Sequence, residues 1–485
     1  MRNMTESEIE ATGLDREYTP PSTTKIVALA AGGMFTQVMF LAAFRIQLYA
    51  LKVLGLTALL VAVFMAIFSV IDIVNEYFVG HYSDKATRFT KRWGKRFIFI
   101  LVGAVGTALT LILVFLPIWE IKPGGGLADP GQTFIVIIWL CIAVSIWDTI
   151  QTLEELNSRG LVPDLIRDQK SRARLQLAGS IVGTIGLVIG IIMIPLSISM
   201  YGGETNPNAF FMMAVIMALL YIVILPLRAY GIWEPQEMRE FRYEFDIIKK
   251  EKTPFWSAGK RAIKSRTWMA FVVAYFQYGI VLRSLTLGFD LYVIDVLELD
   301  IALASLPLLG LVLGGFIFGI ISYKLLRMYG AKNTFMIGIV ISTIGFFLMI
   351  FSIDILTLTL FSFIVGMGIG AQIAARGLMS AQAIDKDTLK YGKREEGQYY
   401  AINQIFSATT KTWSAVIFAI VVAIFLYDPL KGTQNTEYAK FGLLVYLSII
   451  PMIITIISGI LVWKLFDITK EVAIENKEQL LKLGH

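Results

Sequence analysis

Asp72 and Glu76 stand one helical turn apart near the end of an apolar run, and a basic loop follows at once. The stretch reads IFSVIDIVNEYFVGHYSDKATRFTKRWGKRF, from Ile67 to Phe97. A carboxylate in a lipid-buried helix costs about 2.5–3.5 kcal/mol at the bilayer centre. Asp72, Asn75 and Glu76 fall within about 100° of one another on a helix of 3.6 residues per turn. One stripe therefore offers two carboxylates and an amide oxygen. Hard cations prefer oxygen ligands, so the stripe reads as a cation site. The alternative is an acid pair balanced by a basic neighbour where the span ends.

Two further helices carry polar stripes. Asp148, Thr152, Glu155 and Arg159 follow the i, i+4, i+7, i+11 rule along a fourth apolar segment. Glu155 and Arg159 are spaced to pair, and Trp147 and Gln151 flank them. Lipid excludes such a face, so it looks into the bundle or a wet cavity. The plainer reading gives Arg159 to the loop and makes Glu155 its counter-charge. In an eleventh segment Gln404, Ser407 and Lys411 share a stripe. A lysine so far inside a span needs a partner, and the acids of the second or fourth span are the natural ones; the alternative is snorkelling to an interface. Arg45, Arg283 and Arg376 also interrupt apolar runs. GLVLGG (Gly310–Gly315) and GMGIGA (Gly366–Ala371) lack the lysine and threonine of a nucleotide loop and read as close helix packing.

Composition says what must position these residues. Of 485 residues 56% are hydrophobic and 16% charged, where a soluble protein carries roughly 25% charge. Mean hydropathy is +0.68. The apolar runs approach the ~20 residues that span a bilayer. We expect an all-α membrane protein with about twelve spans, near 26–50, 57–81, 97–117, 134–157, 176–198, 209–227, 268–294, 303–323, 333–353, 355–380, 399–426 and 441–465. Links after even spans are basic and links after odd spans carry acids, which places both termini in the cytoplasm. The net charge of +6 then reflects this asymmetry rather than nucleic-acid binding. The lone Cys141 excludes an intramolecular disulfide and a zinc cluster, and the two histidines, His81 and His485, argue against a histidine-based metal or catalytic site. No Ser–His, His–Glu or paired-Cys constellation marks an enzyme, and no cleavable signal is visible.

The expected domains are a cytoplasmic segment 1–24, a six-helix bundle 25–227, a charged connector 228–267, a second bundle 268–466 and a tail 467–485. The connector contains EMREFRYEFDIIKKEK, which reads as a helix lying against the membrane. The two bundles resemble each other. LYALKVLGL (Leu48–Leu56) matches LYVIDVLEL (Leu291–Leu299), an offset of 243 residues, and GHYSDKATR (Gly80–Arg88) matches GIISYKLLR (Gly319–Arg327). A duplicated six-span unit facing its copy across a central cavity is the economical reading.

The second-span motif and its loop resemble the glycoside–pentoside–hexuronide:cation symporters of the major facilitator superfamily. The family pattern is an acid, three residues, another acid, a glycine, then a loop with Asp, Arg and Trp-Gly-Lys/Arg-Arg. Here it reads Asp72-IVN-Glu76-YFV-Gly80-HYS-Asp84-KAT-Arg88-FTK-RWGKR. The fourth-span exit LVPDLIRDQKSRARLQ (Leu161–Gln176) and the link AIDKDTLKYGKREEGQYYAINQ also resemble their family counterparts. The resemblance covers most of the chain and implies the two-bundle fold. It implies cation ligands at Asp72, Asn75, Glu76 and Thr152, with Glu76 in place of an Asp and Tyr77 in place of a proline. It implies a solute site in which Glu155 matches a sugar-binding acid. There Thr36 replaces an acid, Arg159 an aromatic and Ser180 an arginine. Ala408 takes the place of a lysine that Lys411 follows by one turn. These departures leave the galactoside pattern while keeping the cation positions.

The sequence thus leads us to expect alternating-access symport of a small polar solute, a sugar or glycoside, driven by sodium or a proton across the plasma membrane. Cation ligands would be Asp72, Asn75, Glu76 and Thr152. Solute contacts would be Thr36, Trp147, Asp148, Glu155, Arg159 and Lys411. Gly80, Asp84, Arg88, Gly94, Lys95 and Arg96 would form a cytoplasmic gate. No cofactor beyond the coupling ion is expected, and a monomer is the expected state. The alternatives are a lysolipid or amphiphile carrier of the same fold and a receptor that has lost transport.

Overall fold

The computed structural model describes residues 20–85, 90–166, 168–236, 239, 255–392 and 396–482. Among them the regular elements are helices, with one isolated bridge between Ile121 and Leu127. Among the described residues eleven helical runs are long and apolar enough to cross a membrane. One of them, Ile301–Met349, is broken at Gly330, whose φ of 78° and ψ of 176° are not helical. Each arm of that run is long enough to cross by itself, so the eleven runs carry twelve crossings. Helix is the form such segments must take, because hydrocarbon offers no partner to a backbone N–H or C=O.

Polar residues start the helices where the apolar runs begin. Asp168 accepts from the Ser171 amide at 2.7 Å and opens Gln169–Met200. Asp354 and Thr357 form a reciprocal capping box at Ile355–Tyr391. Several helices outrun their apolar segments. The fourth span continues to Leu165 and the tenth to Tyr391. The 324–332 stretch, read as a loop from its charges, stays helical to Gly330. Charge ends a helix's residence in lipid, but it does not end the hydrogen-bond ladder, which water tolerates equally well. Three spans are irregular inside. The first closes on a π turn, Tyr49–Val53, the twelfth contains another, Val445–Ile449, and the eleventh breaks at Thr409 between Glu396–Ala408 and Thr410–Phe425. The tail carries a helix, Lys470–Lys482, and the connector one at Phe255–Lys264. Residues 240–254 lie outside the described residues.

The glycine-rich stretches of the eighth and tenth spans pack on each other. A Cβ on Gly314 would stand 2.0 Å from the Phe363 carbonyl oxygen, and one on Gly366 2.0 Å from that of Leu311. Only bare backbone permits this approach.

The chain forms two compact units. One holds residues up to Ile46, Val70–Pro123 and Leu127 onward into the connector; the other holds Gln47–Ser69, Gly124–Gly126 and the chain from Thr253. This division crosses the expected 25–227 bundle at 47–69 and 124–126. Within the second unit a buried network accounts for it. The Lys52 ammonium donates to both Asp295 oxygens, at 2.6 and 2.7 Å, and the Tyr427 hydroxyl donates to the same carboxylate. Lys52 and Asp295 are 243 residues apart, the offset of the sequence repeat, so the duplicated positions are bonded to each other. The Gly124–Gly126 run lies over this turn. Gly126 donates to the Val53 carbonyl at 2.8 Å, and a Cβ on Gly125 would meet the Lys52 carbonyl oxygen at 2.2 Å.

Breaking a buried pair from one side leaves an uncompensated charge and costs about 3–5 kcal/mol. Lys52→Met should therefore lower the melting temperature of the detergent-purified protein sharply. The exchange Lys52→Asp with Asp295→Lys should recover most of that loss. An exchanged pair that melts no higher than the single variant would contradict the assignment.

Candidate functional site

The second-span helix, Ala58–Lys85, sorts its side chains by face. Val70, Val74, Phe78 and Tyr82 recur every four residues and are exposed, a stripe suited to lipid. Asp72, Asn75 and Glu76 lie off that stripe and are half-buried. Both acids engage neighbours, and the Asn75 amide nitrogen is enclosed without an acceptor. Thr152 is half-buried on the fourth-span helix, Thr133–Leu165, in the same unit. Among the described residues no three His, Cys, Asp or Glu side chains gather as a metal cluster.

On the fourth-span helix Glu155 and Arg159 form the i, i+4 ion pair that their spacing predicts, with both side chains well exposed. Such a pair is worth only a few tenths of a kcal/mol. Trp147 is buried with its indole N–H unbonded, and Asp148 is half-buried and engaged. The stronger feature is one residue away from the stripe. Glu154 is buried and bonds Arg228 of the sixth-span helix, Pro207–Ile232, at 2.6 Å. Arg228 also donates to Ser158 at 2.9 Å and to the Gly32 carbonyl at 3.3 Å, so one guanidinium joins the first, fourth and sixth spans. Beside it a small cavity of about 10 Å³ is lined by Thr36, Met39, Thr107, Gln151, Glu154, Glu155 and Tyr221, room for about one water. The structure thus brings Thr36 and Glu155 to one cavity, whereas Trp147, Asp148 and Arg159 do not line it.

Sequence reasoning missed the Glu154–Arg228 pair. Its signal was an arginine just past the apolar run of the sixth span (LPLRAYGI), which the expected bounds gave to the connector although the helix continues to Ile232. The partner was hidden because Glu155, next door, already fitted a stripe.

At the loop end, Gly94 has a φ of +97°, and a Cβ there would stand 2.6 Å from the Glu234 carboxylate. Glu234 is fully buried and accepts from the Arg96 and Phe97 amides at 2.9 and 3.3 Å. It thereby caps the third-span helix, Phe97–Val114, where a negative charge is favoured. The Arg96 guanidinium lies on Gly160 of the fourth span, where a Cβ would be 2.2 Å away. Trp93, Phe97 and Trp233 stack around the cap. Lys95 is half-buried, and a Cβ on Gly80 would meet the Leu156 side chain at 3.7 Å, an ordinary contact. Arg88 and the Asp84 side chain lie outside the described residues. Glu234, placed by the sequence reading in the connector, is the missed member here.

Lys411 belongs to the second unit, two residues past the break at Thr409. It is buried, and its ammonium lies 3.6 Å from the centroid of the Phe68 ring. Beside it, Ser69 and Thr412 share a hydrogen bond of 2.7 Å.

A model of the family described as MFS/sugar transport protein matches residues 28–470. The chain belongs to that family. Within it, the relatives place it with the glycoside–pentoside–hexuronide symporters of the major facilitator superfamily. A lactose permease of Lactobacillus helveticus is 29% identical over 168 residues, 33% of this chain and 25% of that protein. A glucuronide carrier protein homolog of Escherichia coli K12 is 22% identical over 430 residues, 86% of each chain. Among solved structures, the nucleoside transporter NupG aligns at a TM-score of 0.60 with 14% identity, over 92% of this chain and 98% of that one. A bacterial homolog of the lysosomal transporter Spinster aligns at 0.61 with 12% identity, over 94% and 99%. The xylose transporter XylE of E. coli aligns at 0.54 with 14% identity, over 94% and 98%. The fold is that of the major facilitator superfamily, and the family is one of transporters, not enzymes.

Gly94→Ala places a side chain both in an unfavourable backbone region and against the Glu234 cap. It should destabilise by more than about 1 kcal/mol, read as a lower melting temperature. An unchanged melt would show that Glu234 does not hold this turn.

Proposed function

We propose that this family member is a cation-coupled symporter that carries a small polar solute, a sugar or glycoside, inward across the plasma membrane with both termini cytoplasmic. Sodium is the first candidate ion and a proton the second. The observation that carries the reading is the polar stripe of the second span: two carboxylates and an amide turned away from the lipid-facing residues of their own helix. The alternation of basic and acidic links supports the orientation. The names of the relatives, a lactose permease and a glucuronide carrier homolog, support a saccharide-like solute.

In this account the cation is held by Asp72, Asn75, Glu76 and Thr152. It offsets the repulsion of the two acids and draws the second and fourth spans together. The added methylene of Glu76, relative to the family's Asp, shifts the site or favours a proton, which is why a proton stands as the second candidate. Thr36, Trp147, Asp148, Glu155, Arg159 and Lys411 contact the solute. The chain acts as a monomer. The loop from Gly80 through Asp84, Arg88, Gly94, Lys95 and Arg96 works as the cytoplasmic gate, with the Glu234 cap fixing its exit geometry. Coupling follows if the site reorients when both ligands are bound or both absent, and not when one is missing.

Sodium should raise the melting temperature of the purified protein relative to choline at equal ionic strength. Asp72→Asn should abolish that difference without lowering the melt in choline. A sodium response that survives in Asp72→Asn would overturn the site.

A further inference from the structure

Arg376 sits on the tenth-span helix, Ile355–Tyr391, and is only 6% exposed. It does not snorkel. Its guanidinium lies over two rings of the seventh span, 4.1 Å from the Tyr278 centroid and 5.1 Å from that of Tyr275. Two of its nitrogens, Nε and Nη1, are enclosed without an acceptor. Among the described residues no carboxylate pairs with it. The polar side chains on its own stripe are already occupied. Gln372, one turn before, donates to Ser342 at 2.6 Å, and Ser380, one turn after, accepts from the Tyr400 hydroxyl at 3.0 Å.

Arg228, in the other unit, shows what a structural arginine looks like in this protein. It has a carboxylate, a hydroxyl and a carbonyl, and leaves its Nε alone without an acceptor. Arg376 has ring faces alone. Ring quadrupoles attract a cation but do not satisfy its N–H groups, and a buried donor without an acceptor is costly. Such a group persists where function requires it. A guanidinium presents parallel N–H bonds that match the two oxygens of a carboxylate.

We propose that Arg376 is an anion-recognition residue of the second unit, taking a carboxylate on the transported solute while Tyr275 and Tyr278 flank the guanidinium. The inference rests on the transport reading and narrows its solute from polar to acidic. The rings hold the guanidinium in one orientation, so the carboxylate meets a preorganised fork rather than a flexible chain. A neutral glycoside would leave the same donors unmet.

The test uses the full chain in detergent, melted in sodium chloride with D-glucuronate, D-gluconate or methyl β-D-glucoside. At least one of the two acids should stabilise the wild type at concentrations roughly 10-fold or more below those at which the neutral glycoside acts. Arg376→Met should lose that response and Arg376→Lys should keep a weakened one. Without ligand, Arg376→Met should melt no lower than wild type, because it removes an unsatisfied buried charge. A ligand-free Arg376→Met that melts well below wild type would make the residue structural and overturn the proposal. So would an acid response unchanged in Arg376→Met. A sodium-dependent response to the neutral glycoside alone would refute the anion assignment and leave symport standing. No response to any of the three, with sodium or at low pH, would count against both.

Discussion

Hydrocarbon cannot solvate a charge, and that constraint shapes each part of this protein. A charged side chain within a span must find its partner inside the protein, and the partner then fixes which helices meet. Lys52 with Asp295 and Tyr427, and Glu154 with Arg228, Ser158 and the Gly32 carbonyl, are two solutions. Each joins elements far apart in sequence. Where a partner is missing, as at Arg376, or where acids collect on one stripe, as at Asp72 and Glu76, the same constraint is the ground on which a ligand from outside is proposed.

The spans were legible in the sequence because hydropathy reports directly on the solvent. Their ends were less legible, because helical hydrogen bonding continues into water through Lys324 and Arg327 as far as Gly330. The internal duplication was legible from a nine-residue match around Tyr49 and Tyr292. That the matched positions Lys52 and Asp295 bond to each other was not, since a repeat gives correspondence and not contact. The packing role of the glycine stretches followed from their mid-span position, and the backbone contacts bear it out. Glu154 and Glu234 were invisible for a common reason. Their partners, Arg228 and the turn around Gly94, lie about 70 and 140 positions away in the chain, beyond the reach of any helical period.

The site separates in the same way. Helical periodicity put Asp72, Asn75 and Glu76 on one stripe, and the helix turns a lipid-suited stripe elsewhere. The pairing of Glu155 with Arg159 followed from i, i+4 spacing. What spacing could not supply was the neighbourhood: the one-water cavity shared by Thr36 and Glu155, and the Phe68 ring beneath Lys411. Those depend on which helices pack together. The proposed cation site therefore draws on residues of one helix and one neighbour, and the proposed solute site on a wider set whose departures from the family pattern leave room for a different ligand.

The central claim is that an ion gradient drives solute movement through the second-span acids. Uptake into proteoliposomes under an imposed inward sodium or proton gradient, with an equal gradient-free control, measures this directly. The account predicts accumulation above the equilibrium level with one of the two gradients and its loss in Asp72→Asn. Uptake that only equilibrates, whatever the gradient, or that accumulates unchanged in Asp72→Asn, would contradict it.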